Sequence, residues 1–343
     1  MTKKKTKQIL RIALLIGTVI SLFYVPWILV YAWILPLPDT VQEQVDEAIG
    51  HGFEGMIVYV DQAGKPPAFY AAGWHDRENK IPADPHALFK IASISKLYDA
   101  VAITKLVKDK RLDLDATLAD YFPELVGRIE NADRITLRMM VQHRSGIPNL
   151  TDTPNFWAKP PPKSSEEALA LVLDMPANFE PDQDYEYSNT NYLLIAETIK
   201  KVLGYNNFQF YKEEILIPLE LNNTFGSLAE VNLDDLMSGY HIGHEANLKT
   251  DDHGMVATAE DVGIFLRALN DGSLFDEGEQ EIYSSIYVYD HTGWVPGYQS
   301  IAKYYEDIDT VVIQFMNTTG GYNWNTGEIV NSRIVKILRG EQP

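Results

Sequence analysis

Runs that read as β-strands lie toward the two ends of this 343-residue chain, and the long middle carries helical periods instead. Near the start, Gly55-Met56-Ile57-Val58-Tyr59-Val60 is a continuous apolar run, Asp61 to Lys65 a turn, and Ala68 to Ala72 the returning strand of a hairpin. Near the end, strand patterns recur at Ile286–Tyr289, Gln299–Tyr305 and Thr310–Met316, with a last helix at Gly327–Leu338. Between Ser93 and about Glu281, apolar spacing predicts helices over Leu97–Val107, Leu137–Gln142, Glu166–Leu173, Leu193–Val202 and Ala259–Leu269. Strands at both ends with helices between them predict an α+β fold: one sheet assembled from the two termini, flanked by helices, with a large, mainly helical insertion (about 97–281) beside it.

The first forty residues divide sharply from the rest. Lys3, Lys4, Lys5, Lys7 and Arg11 form a basic tail (1–11) ahead of an uncharged stretch from Ile12 to Pro38. That stretch is roughly 27 residues, against the ~20 needed to cross a bilayer core. Tyr24, Trp27, Tyr31 and Trp33 crowd its far end, where interfacial aromatics belong. A cleaved signal peptide has a shorter apolar core, and Val30-Tyr31-Ala32 is a poor cleavage site because Trp33-Ile34-Leu35 continues the run. The expectation is one N-terminal transmembrane helix (12–38) acting as an uncleaved anchor, then a stalk and first helix (39–52), then a catalytic domain over 53–343. The basic flank places the N-terminus in the cytoplasm and the domain outside a cell membrane. No cysteine is present, which excludes disulfide staples and cysteine metal or redox sites and fits an exported bacterial protein. The net charge is −19 even with the five basic residues of the tail, so nucleic acid is not an expected partner.

Ser93-Ile94-Ser95-Lys96 puts a hydroxyl and an amine three residues apart at a helix start, where they share one face. Ser300-Ile301-Ala302-Lys303 has the same spacing but reads as a strand, on which positions three apart point to opposite faces. Ser93 is therefore the candidate nucleophile and Lys96 its candidate base. An acyl-transfer serine hydrolase also needs a group to relay the proton and backbone N–H groups facing the oxyanion. Tyr187-Ser188-Asn189 offers a phenol and a side-chain amide; the competing Tyr205-Asn206-Asn207 follows Gly204, which ends a helical period. His291-Thr292-Gly293 precedes a turn and a buried strand, and its competitor is His241-Ile242-Gly243. His241, His244, His253, Asp251 and Asp252 contain a His-x-x-His spacing, but Tyr240 and Ile242 suggest a strand that turns the first two histidines apart, so no metal and no cofactor is expected.

Five ordered segments carry a resemblance. They are Phe89–Lys96, Thr136–Pro148 with its His143-Arg144-Ser145-Gly146, Tyr185–Tyr192, His253–Asp261 and His291–Tyr298. Together they resemble the serine β-lactamase-related superfamily: class C β-lactamases, low-molecular-mass penicillin-binding proteins and DD-peptidases, and related esterases. The resemblance runs from about Gly55 to Arg339 and implies a β-lactamase/DD-peptidase-like antiparallel sheet. It also implies roles: Ser93 as nucleophile, Lys96 as its base, Tyr187 as proton shuttle and Asn189 as holder of the substrate amide. His291 and Thr292 would bind a substrate carboxylate, Gly293 would open the strand edge, and the N–H groups of Ser93 and Trp294 would form the oxyanion hole. Two departures stand out. Arg144 occupies a position where a small hydroxyl residue is usual, and Trp294 is bulky beside the oxyanion position.

Histidine at position 291, where typical class C β-lactamases carry lysine, resembles some DD-carboxypeptidases and mitochondrial relatives. The expected substrates are accordingly small: a peptide ending in D-alanyl-D-alanine, with a β-lactam or an ester as alternatives, or none at all in a catalytically silent binding protein. A histidine of ordinary pKa loses its charge near neutrality, so acylation is expected to fall between about pH 6 and 8.

Overall fold

The computed structural model describes residues 3–158, 162–250 and 254–340. The N-terminal half supplies helices α1 (Lys3–Leu22), α2 (Trp27–Ile34) and α3 (Val41–Ile49), strands β1 (Gly55–Gln62), β2 (Ala68–Asp76) and β3 (Ile81–Pro82), and helix α4 (Ser95–Lys108). Farther on come α5 (Asn189–Leu203), α6 (Ala259–Asp271), β4 (His291–Val295), β5 (Tyr298–Tyr305), β6 (Thr310–Met316) and α7 (Asn323–Arg339). Six strands form one antiparallel sheet in the order β3-β2-β1-β6-β5-β4. The ends of the chain meet at its centre, where β1 pairs with β6 from Met56 opposite Met316 to Gln62 opposite Thr310.

The sheet is buried on both faces, which explains why β1 reads as a continuous apolar run. Met56, Val58 and Val60 point to one face and pack with Val312, Met316 and the side chains of α3 and α7. Ile57 and Tyr59 point to the other, where Val311, Ile313 and Phe315 meet α4 and α6. α4 runs through the middle of that second layer, with every residue from Lys96 to Leu106 buried. α3, within the segment expected to hold the stalk and first helix, lies against the sheet and is opened by a reciprocal Thr40–Glu43 capping box.

Two expectations need correction. The apolar stretch at 12–38 is not one helix: its parts Leu10–Leu22 and Trp27–Ile34 meet at 78°, and no single helix among the described residues is long and apolar enough to cross a membrane. Pro26 supplies no N–H to a continuing helix and starts the second one, while the Trp27 indole N–H bonds the Leu22 carbonyl left free at the break. The segment Ile286–Tyr289 is a turn, and the strand starts at His291. Tyr283 is the cause. It is fully buried, its carbonyl accepts from the amides of Ile286 and Tyr287, and its hydroxyl donates to the Val288 carbonyl.

Candidate active site

The short pair of strands ahead of Ser93 fixes where the chain turns. Phe89–Lys90 pairs with Val256–Ala257, the Ile91 amide bonds the Met255 carbonyl, and a single 3-10 turn over Ala92–Ile94 leads into α4. Ala92 takes φ +50°, a left-handed conformation that costs a non-glycine residue and re-aims the chain so that Ser93 faces out of the helix start. Lys96, one turn on and buried, points back: its Nζ lies 3.1 Å from Ser93 Oγ and 2.9 Å from Asn189 Oδ1. The Tyr187 hydroxyl lies 2.8 Å from the same Ser93 Oγ. Lysine, serine and tyrosine thus form an unbroken hydrogen-bonded path along which a proton can pass.

Tyr187 and Asn189 sit at the N-terminus of α5, and the loop after His143 holds that terminus from below. Asn149 Oδ1 accepts the Asn189 N–H at 3.0 Å, Thr190 Oγ1 bonds the Pro148 carbonyl at 2.7 Å, and Ser145 Oγ meets Asn191 Oδ1 at 2.6 Å. His143 Nδ1 accepts the Ser188 N–H at 3.1 Å, and its ring packs 4.4 Å from that of Tyr187. Burial, with the Lys96 charge nearby, holds the His143 pKa down to about 3, so the ring stays neutral with its proton on Nε2. These support contacts explain the His143–Gly146 motif. Asn149 and Thr151, the latter accepting from Asn189 Nδ2 at 3.2 Å, were not anticipated, because nothing in their local sequence separates them from ordinary loop residues. Arg144 is a wall residue paired with Asp182 at the surface.

β4 is the edge strand beside this turn. Gly293 has no room for a side chain: a Cβ there would lie 2.3 Å from the Ile91 carbonyl oxygen and 2.4 Å from Ser300 Oγ. The glycine therefore lets the nucleophile turn press against the strand, a tighter constraint than leaving an edge open for substrate. Ser93 and Trp294 line the same cavity. Ser300, from the competing Ser-x-x-Lys spacing, is buried and bonded to the Ile91 carbonyl, while Lys303 points away to Glu328.

His291 is not the cation a carboxylate partner was expected to be. Its Nδ1 bonds the Thr292 carbonyl at 2.5 Å and its Nε2 faces the Tyr287 hydroxyl at 3.0 Å, so both nitrogens are occupied in a neutral ring. Burial and the Lys96 charge push its pKa down to about 4. A decline of acylation through pH 6–8 therefore cannot come from this group, which corrects that expectation. A buried acid, Asp99, lies one turn beyond Lys96 on α4. Burial lifts the Asp99 carboxyl to about 6 against the opposing effects of the Tyr211 hydroxyl, which bonds it, and of Lys96.

Ser93 opens into a cavity of about 510 Å³ whose walls include Lys96, Asn189, Trp157, Trp294 and Trp324. A second cavity of about 600 Å³ lies across Tyr187, His291 and Thr292, which line both, and is also lined by Tyr185, Tyr287 and Arg144. The rings of His241 and His244 come within 5.6 Å, not apart, because Gly243 turns the chain at φ +92°. Among the described residues no group of three metal-binding side chains forms; Asp251, Asp252 and His253 lie outside the described residues.

Comparisons with known proteins bear on the fold and the family. The chain is 25% identical over 194 residues to protein flp of Staphylococcus aureus (strain MW2), a match covering 55% of this chain and 39% of that protein. It is 32% identical over 137 residues to the mitochondrial serine beta-lactamase-like protein LACTB of Mus musculus, covering 39% and 24%. The matches thus span two-fifths or less of the length of these relatives. Among solved structures, D-amino acid amidase from Ochrobactrum anthropi SV3 is similar with a TM-score of 0.77 at 22% identity, over 88% of this chain and 97% of that one. The penicillin binding protein from Bacillus halodurans gives 0.70 at 21% identity, over 82% and 96%. The model of the Beta-lactamase family matches residues 37–285, a span that takes in the nucleophile turn and the Tyr187–Asn189 elbow and most of the chain, and the protein is a member of that family.

Proposed function

We propose that this protein is a serine hydrolase that forms an acyl-enzyme at Ser93, acting on peptides that end in D-alanyl-D-alanine. The observation that carries the reading is the double hold on Ser93 Oγ, with Lys96 Nζ at 3.1 Å and the Tyr187 hydroxyl at 2.8 Å. Acting as the general base, Lys96 takes the serine proton as Oγ bonds to the substrate carbonyl carbon, and the oxyanion is met by the N–H groups of Ser93 and Trp294. Tyr187 passes that proton to the leaving nitrogen as the C–N bond breaks, and water then releases the acyl group by the reverse relay. Asn189 holds the substrate amide, and Thr292 with His291 borders the leaving group.

A neutral His291 gives a second reading weight: a leaving group without a carboxylate, as in a D-amino acid amide, loses nothing at this site. Relative rates on a D-alanyl-D-alanine peptide and on its C-terminal amide separate the two. Membrane tethering belongs to the same proposal. Leu14, Leu15, Phe23 and other large apolar side chains of 10–34 are exposed, and the lysine-rich flank precedes them. Retention of the full chain in the membrane pellet after alkaline washing would support the tether, and release would refute it.

The decisive test is the intact mass of the detergent-solubilised full chain incubated with a penicillin, beside Ser93→Ala. A lasting adduct on the parent and none on the variant supports a penicillin-binding DD-peptidase. Drug consumed without a lasting adduct makes the protein a β-lactamase. Drug untouched, with no hydrolysis of the D-alanyl-D-alanine peptide, its C-terminal amide or an ester, sinks the hydrolase reading.

A further inference from the structure

The chain has six tryptophans, and three of them, Trp157, Trp294 and Trp324, line the cavity that Ser93 opens into. They come from distant parts of the fold: the 3-10 turn Phe156–Ala158, the edge strand β4 and the first turn of α7. Trp157 and Trp294 meet edge to face, with centroids 5.3 Å apart and planes at 88°, so together they make a right-angled corner. Trp157 and Trp324 still expose 41% and 37% of their surface. None of the three borders the second cavity.

The two sides of the nucleophile are therefore chemically different. Tyr187, which lines both cavities, is the group placed to protonate the departing atom, so the leaving half of a substrate lies on its side and continues toward the second cavity. The acyl half must then extend the other way, past the Trp294 amide and into the tryptophan corner. Such a corner offers a flat ring one face and one edge at once, the two arrangements that aromatic rings prefer. We propose that the tryptophans form a subsite for an aromatic or similarly flat apolar side chain on the acyl half of the substrate. This deepens the hydrolase reading and rests on its assignment of the two halves.

Two thioesters that share one leaving group and differ only in the acyl part, phenylacetyl against acetyl, test it on the full chain. The expected preference in kcat/KM is about tenfold or more for phenylacetyl, the size of effect that burying one aromatic ring produces. Trp324→Ala and Trp157→Ala should each shrink that ratio severalfold, and Trp324→Phe should restore part of it, a rescue that mere loss of folding would not allow. A binding arm keeps the subsite testable if turnover fails: quenching of tryptophan fluorescence by phenylacetamide and acetamide in Ser93→Ala, with Trp324→Ala as control. Tighter binding of phenylacetamide, lost in the control, with no turnover by the parent, keeps the subsite and overturns the hydrolase reading. Equal binding of the two amides, or a preference that survives both alanine variants, overturns the subsite.

Discussion

Ser93 Oγ is held by Lys96 and by Tyr187, and in the proposed mechanism Tyr187 decides how the leaving group departs. Removing the Tyr187 hydroxyl breaks the relay and leaves the nucleophile and Lys96 in place. Tyr187→Phe should therefore lower the acylation rate by about 10²–10⁴-fold, the usual contribution of a positioned proton-transfer group, with substrate binding much less affected; stopped-flow acylation against substrate concentration separates the two. Burial has a second consequence here, visible in stability. His143 and His291 are held below their ordinary pKa, so the unfolded chain binds more protons than the native one from about pH 6.5 down to 3–4. Their contribution is complete above pH 6.5 and is lost as the pH falls. Asp99, raised to about 6, acts oppositely: its contribution is present below the ordinary carboxyl range and lost as the pH rises through 6. Removing the opposing acid with Asp99→Asn should therefore make the change of Tm with pH more positive between about pH 4 and 6; an unchanged slope in the variant would contradict the assignment. Ser93, Lys96, Tyr187 and Asn189 were legible from spacing because each pair is set by local geometry. The charge of His291 was not, since it depends on burial and on Tyr287, which no spacing reports.

At the scale of elements, the site is the contact between a turn and an edge strand. Gly293 permits that contact, and a methyl group there would displace the Ile91 carbonyl or Ser300. Gly293→Ala is expected to push the nucleophile turn off β4 and cost about 10²-fold in kcat/KM, because reacting groups tolerate little misplacement. A variant with near-normal activity would mean that the turn relocates freely. Helices with a clear apolar period were legible to within a few residues: α6, expected over Ala259–Leu269, runs over Ala259–Asp271, and α4 and α7 agree similarly. The failures have local causes. Ile286–Tyr289 has strand-like composition, but its backbone is claimed by Tyr283, and the apolar stretch of 12–38 is broken by one proline whose effect depends on what α2 packs against.

For the whole molecule, the joint between the N-terminal helices and the catalytic body is a buried arginine. Arg333 of α7 donates to the Leu35 and Pro36 carbonyls at 2.7 and 2.8 Å, and to Gln44 and Glu47 of α3. A fragment beginning at Asp39 removes two of these acceptors and leaves part of a buried guanidinium unmatched. A fragment beginning at Trp33 should be the more stable by about 1–3 kcal/mol, read as a higher urea midpoint; equal midpoints would show that water replaces the carbonyls. The two cavities that meet at Tyr187 carry a kinetic consequence as well. If Ser93 forms the proposed acyl-enzyme, departure of the first product leaves its chamber open while the acyl chain still blocks the other. Whatever arrives next arrives by that emptied route, and an amine seated there competes with water for the same carbonyl. The balance between destroying a bond and exchanging it for another is then set by the chamber that holds no part of the acyl chain.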